Sequence, residues 1–296
     1  MGELALDLQA YQAEMHLVES TSISMDLNTV TEVAHPAGRA QLPVWSAGDA
    51  WLAGGTWLFS EPQAQLRRLI DLADLKWQAL TISESALSLG ATCTVAQLDA
   101  LACPPEWLAA PLINQCCRAF LASFKIWKTA TIGGNLCMSL PAGPMISLTS
   151  ALGGICTIWS ADGGERNISV VDFVIGDNRN VLAPGELLRQ IDIPLAALKR
   201  RTAFRQISLT PLGRSAALLI GAIRDDGLVL TVTASTVRPV QIPFAAMPTA
   251  GELRQAILHH IPAALYHDDV HGKPAWRKHM TLRLAEEIRS ELQGLL

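Results

Sequence analysis

The chain is poor in tyrosine and phenylalanine: it holds two Tyr and six Phe, against eight Trp, and aromatics make up 5 % of its residues. No stretch approaches 18 consecutive apolar residues, so the sequence predicts no membrane span. The N-terminus lacks the cationic start and continuous apolar run of a secretory signal, which predicts a cytoplasmic protein. Charge of one sign is also scarce. Charged residues are 17 % of the chain and the formal net charge is −4, with no basic stripe of the kind that binds nucleic acid. The densest cationic run, Lys199-Arg200-Arg201, reads as a solvated linker. Six cysteines (93, 103, 116, 117, 137 and 156) never fall in a Cys-x-x-Cys pair, which excludes the usual zinc and iron–sulfur spacings and predicts free thiols. There is no Gly-x-Gly-x-x-Gly after a strand, and strands and helices do not alternate regularly, so a Rossmann fold is disfavoured.

What is present is apolar bulk and two glycine turns. Half of the 296 residues are apolar, enough for a substantial core in two or three compact units. Leu4, Leu8, Tyr11, Met15 and Val18 form one helical stripe in a 25-residue N-terminal extension. Strands are predicted over 29–33, 50–53, 66–72, 80–82, 86–89, 155–159, 166–170 and 187–193, and Asp162-Gly163-Gly164 is a hairpin turn. Thr94 is placed to cap a helix running to about Ala102, and further helices are predicted over 111–121 and 144–152. After a linker at 195–201, a small antiparallel sheet is predicted from strands at 203–209, 216–223 and 228–237, followed by helices near 249–259 and 274–293. The class is α+β.

The first glycine turn is Leu52-Ala53-Gly54-Gly55-Thr56-Trp57-Leu58 and the second is Thr131-Ile132-Gly133-Gly134-Asn135. Glycine removes the Cβ that would hold a ligand away and allows positive φ, so successive N–H groups can form an anion-binding nest. One Gly-Gly pair marks ordinary turns. Two of them, each beside a small polar residue, point to a pyrophosphate held between two lobes.

With these words the chain resembles the FAD-binding medium subunits of molybdenum hydroxylases, the carbon monoxide dehydrogenase and xanthine dehydrogenase type. Leu121-Ala122-Ser123 before the second turn, Pro141-Ala142-Gly143 after it, and Ala183-Pro184-Gly185-Glu186 fit the same pattern. So does the run Asp268-Asp269-Val270-His271-Gly272 with Trp276-Arg277. The resemblance covers about residues 26–296. It implies a two-lobed FAD-binding domain of the PCMH/vanillyl-alcohol-oxidase type (lobes 26–80 and 81–197) followed by a small α+β C-terminal domain (198–296). FAD would sit with both glycine turns at its pyrophosphate, Leu121 and Leu188 near the ring systems, and Arg205 near the flavin or its phosphates.

The resemblance further implies a relay. A molybdopterin-binding large subunit would hydroxylate the substrate, a 2Fe-2S small subunit would carry electrons to FAD, and NAD, oxygen or a quinone would accept them. No residue of this chain need then be an acid, a base or a nucleophile. Trp57, Pro144, Trp127-Lys128 and Asp177 depart from the family pattern. They leave open a non-catalytic scaffold of the same fold with weakened FAD binding; a stand-alone flavin oxidoreductase is the third reading. The plainer readings concern the remaining clusters. Trp45, Trp51 and Trp57 are expected to pack. The His259/His260/His267/Asp268/Asp269/His271 group fits no ordinary metal-ligand spacing. Cys137 is expected to be a buried filler.

Overall fold

The computed structural model describes residues 27–225 and 227–294, so the stripe expected over residues 2–18 lies outside them. The chain starts with a small parallel sheet of β1 (Glu32–Ala34), β2 (Asp49–Leu52) and β3 (Arg68–Asp71), in the order β1-β3-β2. Its strands are joined by irregular connections and no α-helix. Arg68 of β3 pairs with Asp49 of β2, their Nη2 and Oδ2 2.6 Å apart. That guanidinium holds the Asp49 carboxyl below the usual range against the opposing effect of burial.

The second unit is built on five antiparallel strands. β4 (Leu80–Ile82) and β5 (Ala86–Gly90) form the expected hairpin. Leu87 and Leu89 alternate inward and are fully buried. α1 (Val95–Asp99) begins at a reciprocal cap: Gln97 N–H donates to Thr94 Oγ1 (3.2 Å) and Thr94 N–H to Gln97 Oε1 (2.8 Å). It ends earlier than the sequence pattern suggests. α2 (Ala110–Ala119) carries Pro111 in its first turn, where a missing N–H costs nothing. α3 (Phe124–Trp127), α4 (Ile132–Met138) and α5 (Pro144–Ala151) follow.

β6 (Ile155–Trp159) and β7 (Glu165–Ser169) pair across the predicted turn at Gly163, whose φ is +89°. α6 (Val170–Phe173) leads to the small ribbon of β8 (Val174–Gly176) and β9 (Arg179–Asn180). β10 (Leu187–Pro194) then enters the centre of the sheet, giving the order β4-β5-β10-β6-β7. The segment read as a linker begins with a packed turn, α7 (Leu195–Leu198): Ala197 and Leu198 are buried, and the Leu198 carbonyl accepts the Ala109 N–H.

The last unit is an antiparallel sheet of β11 (Thr202–Ile207), β12 (Ala217–Arg224), β13 (Gly227–Thr233) and β14 (Val240–Phe244), in chain order. Pro243 lies in β14, an edge strand, where its missing N–H breaks no ladder. α8 (Ala250–His260) and α9 (Pro274–Gln293) cover one face. β12 reads as a continuous apolar run because both its faces are buried. Leu218 and Ile220 join the core that contains α5, while Ala217 and Leu219 join the core under α8 and α9. The cores are tied by Ser147 and Thr233, whose hydroxyls lie 2.7 Å apart, and by Gln241 Nε2 donating to the Ser150 carbonyl at 2.7 Å. The fold is α+β.

Candidate cofactor site

β2 runs straight into the first glycine turn. Among the described residues, no N–H group from Ala53 to Leu58 donates to a protein acceptor. Gly55 sits at φ +66°, the left-handed conformation that allows successive N–H groups to form an anion-binding nest. The turn is closed behind them by Phe59 N–H donating to the Gly55 carbonyl at 2.9 Å. Gly54 serves a different purpose. A Cβ there would lie 1.9 Å from the Thr129 carbonyl oxygen, so this glycine lets the first turn press against the segment before the second.

The second turn is occupied with its own structure. Ile132 N–H donates to the Cys93 carbonyl (2.8 Å), Gly133 N–H to that of Ala91 (3.0 Å), Gly134 N–H to Thr131 Oγ1 (3.0 Å) and Asn135 N–H to the Thr131 carbonyl (3.0 Å). Thr131 is thus the N-cap of α4. A Cβ on Gly133 would meet Ala91 at 2.6 Å, so this glycine allows close helix–sheet packing. The two turns are therefore unlike: the first offers bare backbone donors, whereas the second offers side chains. Asn135 Oδ1 accepts the Met145 N–H at 3.1 Å, which fixes the amide orientation and leaves its Nδ2 donors without a partner among the described residues. The Thr131 hydroxyl proton and the Thr56 hydroxyl complete the donor set.

These groups line one cavity of about 600 Å³, within the range of small-molecule and cofactor sites. Ala53 to Leu58 line it from the first turn, and Thr131, Gly134, Asn135, Met138 and Pro144 line it from the second turn and the segment that follows. Leu121, 48 % exposed, lies at the cavity with Phe120 and Ile126, and Trp51 joins from β2. Trp51 also packs on Trp45 with ring centroids 5.1 Å apart, and its indole N–H donates to the Glu186 carbonyl at 2.9 Å. Cys137 contributes a thiol that burial pushes up to about 12, so it stays protonated at neutral pH. Among the described residues no Asp or Glu lines the cavity.

Other sequence-level candidates lie elsewhere. Leu52 ends β2 beside the turn without lining the cavity, and Ile132 is fully buried behind it. Leu188 is a core residue of β10, 2 % exposed and opposite Ile158. Arg205 lies on β11, where its guanidinium donates to Glu287 (3.1 Å) and Glu291 (2.7 Å) of α9. Residues that the motifs did not single out as ligands also line the cavity, among them Arg214 and Ser215 from the loop between β11 and β12, and His271 from the Asp-Asp-Val-His-Gly turn. The signal for the first two was a Pro-x-Gly-Arg turn between two strands. The signal for His271 was its membership of the family run.

Unpaired N–H groups, amide and hydroxyl donors, an apolar far end and no lining carboxylate together suit a ligand with an anionic middle and a flat ring. Residues 44–196 match the family described as the FAD binding domain in molybdopterin dehydrogenase. The chain belongs to that family, and FAD is its cofactor. Over 117 residues it is 33 % identical to the caffeine dehydrogenase subunit beta of Pseudomonas sp. (strain CBB1); the match covers 38 % of this chain and 39 % of that subunit. Its fold is shared by a chain of quinoline 2-oxidoreductase from Pseudomonas putida 86 (TM-score 0.72, 19 % identity, 91 % of this chain and 99 % of that one). It is likewise shared by a chain of carbon monoxide dehydrogenase from Hydrogenophaga pseudoflava (TM-score 0.73, 18 % identity, 88 % and 96 %). Among the described residues no helix is long and apolar enough to cross a membrane.

Proposed function

We propose that this chain is the FAD-binding electron-transfer subunit of a molybdenum hydroxylase complex, taking electrons from iron–sulfur clusters of a small partner and delivering them to an external acceptor. The single observation behind this reading is the run of N–H groups from Ala53 to Leu58, unpartnered among the described residues, that lines one cavity together with Thr131, Gly134 and Asn135 in a chain of this family. The division into lobes at 26–80 and 81–197 and a C-terminal domain at 198–296 belongs to the same reading, as do a molybdopterin-binding large subunit and a cytoplasmic setting. All six cysteines are free thiols, which suits a reducing compartment.

Bound FAD supplies reversible one- and two-electron redox chemistry. The residues of this chain bind, orient and shield it. The first turn is proposed to hold phosphate oxygens through backbone N–H groups, which are strong donors toward an anion. Thr56, Thr131 and Asn135 would add side-chain donors, and Gly134 would leave room beside the cap. Trp57, Leu58 and Leu121 would pack on ring surface. Pro144 offers the cavity a ring face and no N–H, while Met145 is already held by Asn135.

The test is reconstitution. Flavin absorbance of the complex should bleach on addition of substrate when the large and small subunits are present, and should stay unchanged with this chain alone. Turnover of a small substrate by the isolated chain would favour the stand-alone oxidoreductase. A colourless chain that still holds its partners would favour the scaffold.

A further inference from the structure

An FAD pyrophosphate carries two negative charges, and a cationic side chain in the cavity wall would pair with them through charge-assisted hydrogen bonds. Among the described residues, two side chains in the cavity wall can carry positive charge, Arg214 and His271, and both come from the C-terminal sheet unit rather than from the glycine turns. Arg214 makes no hydrogen bond or ion pair with any described residue, whereas Arg205, Arg277 and Arg289 are all bonded. The His271 ring is likewise unpartnered; only its backbone N–H is engaged, donating to Asp269 Oδ1 at 2.8 Å.

Both are held by one buried residue. Arg277 is 1 % exposed and donates to the carbonyls of Ala216 (2.6 Å), Ala234 (2.6 Å) and Gly272 (2.8 Å), and to Asp269. Ala216 is two residues from Arg214, and Gly272 follows His271. Asp269 accepts from both Arg277 and the His271 backbone. The loop carrying Arg214 is pinned at its other end by Gly213 N–H donating to the Thr210 carbonyl (2.9 Å), and Gln206 Nε2 donates to Ser215 Oγ (2.8 Å). The Asp269…Arg277 run thus fixes two otherwise separate loops against the same cavity.

We propose that Arg214 and His271 are the charge-bearing cofactor ligands of this chain. They read the FAD phosphates from the C-terminal side while the first glycine turn reads them from the other, with Arg277 as the positioning residue for both. The proposal rests on FAD occupying this cavity. It makes cofactor binding a bridge between the units: removing the phosphates from the ligand, or the cation from the wall, should weaken binding by the same contact.

The experiment is a fluorescence titration of the purified full chain with FAD and with riboflavin, which lacks both phosphates, at low and high ionic strength. Arg214→Gln should weaken FAD about 10-fold or more, as expected for loss of a charge-assisted contact. It should leave riboflavin affinity and melting temperature unchanged and flatten the salt dependence of FAD binding. Arg214→Lys should restore part of the loss and the salt dependence, and His271→Gln should show a smaller version of the Arg214→Gln pattern. Unchanged FAD affinity in Arg214→Gln and His271→Gln, or equal loss of FAD and riboflavin, overturns the inference. A wild-type chain that binds no FAD overturns the cofactor placement, and the inference with it.

Discussion

The two glycines of the first turn differ in what they tolerate. A Cβ on Gly54 would sit 1.9 Å from a backbone carbonyl oxygen that cannot swing aside, so Gly54→Ala should separate the two turns and cost about 3 kcal/mol. At Gly55 the obstacle is the ring of Phe59, a half-exposed side chain able to rotate away. The remaining cost of Gly55→Ala is the positive φ, about 1–2 kcal/mol. Denaturant unfolding of the two variants should therefore rank Gly54→Ala clearly below Gly55→Ala; the reverse order would contradict this packing. Arg205→Ala removes a partly exposed ion pair with Glu287 and Glu291, so the expected loss is below about 1 kcal/mol, with FAD affinity unchanged in the titration. The sequence words named two turns whose residues line one cavity, but did not separate these tasks. A Gly-Gly pair looks the same whether its missing Cβ faces a ligand, as nest geometry needs, or faces Thr129 or Ala91, as here. Arg214 was illegible for a related reason. Whether a surface arginine is spent on an ion pair or left free depends on elements far off in the chain.

At the scale of elements, local chemistry was legible where it was self-contained. Thr94 with Gln97 reads as a cap at any tertiary position, and the hairpin at Gly163 likewise. α4 was not legible as a helix because Gly133 and Gly134 lower helix propensity, and its start depends on Thr131 and on carbonyls of Ala91 and Cys93. β14 was hidden by Pro243, which only an edge strand accepts. The element most dependent on a buried charge is the start of α9. Arg277→Met leaves the carbonyls of Ala216, Ala234 and Gly272 without their donor and takes from Asp269 its charged partner, and should cost about 3–5 kcal/mol in the same unfolding assay. Burial acts to raise the Asp269 carboxyl, but the His271 N–H and the Arg277 guanidinium outweigh it and hold it below the usual range. Glu186 is lowered first by its hydrogen bond from Arg166. Both groups bind protons less readily folded than unfolded. Their contribution to stability is therefore full above about pH 5 and is lost as pH falls through about 4 toward their folded values. Unfolding free energy measured from pH 6 down should fall along this limb, and Glu186→Gln should make the limb shallower.

For the whole molecule, the α+β class was legible because hydrophobic periodicity and turn residues repeat along the chain. The contact of the C-terminal sheet with α5 was not, since an apolar run such as β12 records burial without naming the partner on either face. That contact matters to function, because it carries Arg214, Ser215 and His271 to a cavity whose other walls come from the glycine turns. The central claim is that this cavity holds FAD. The measurement that tests it most directly is the visible absorption spectrum of the purified chain, before and after addition of FAD and removal of the excess. The account predicts flavin bands that stay with the protein and are lost in proportion when Gly54 is replaced by Ala. A chain that carries no flavin and retains none at micromolar FAD would contradict it.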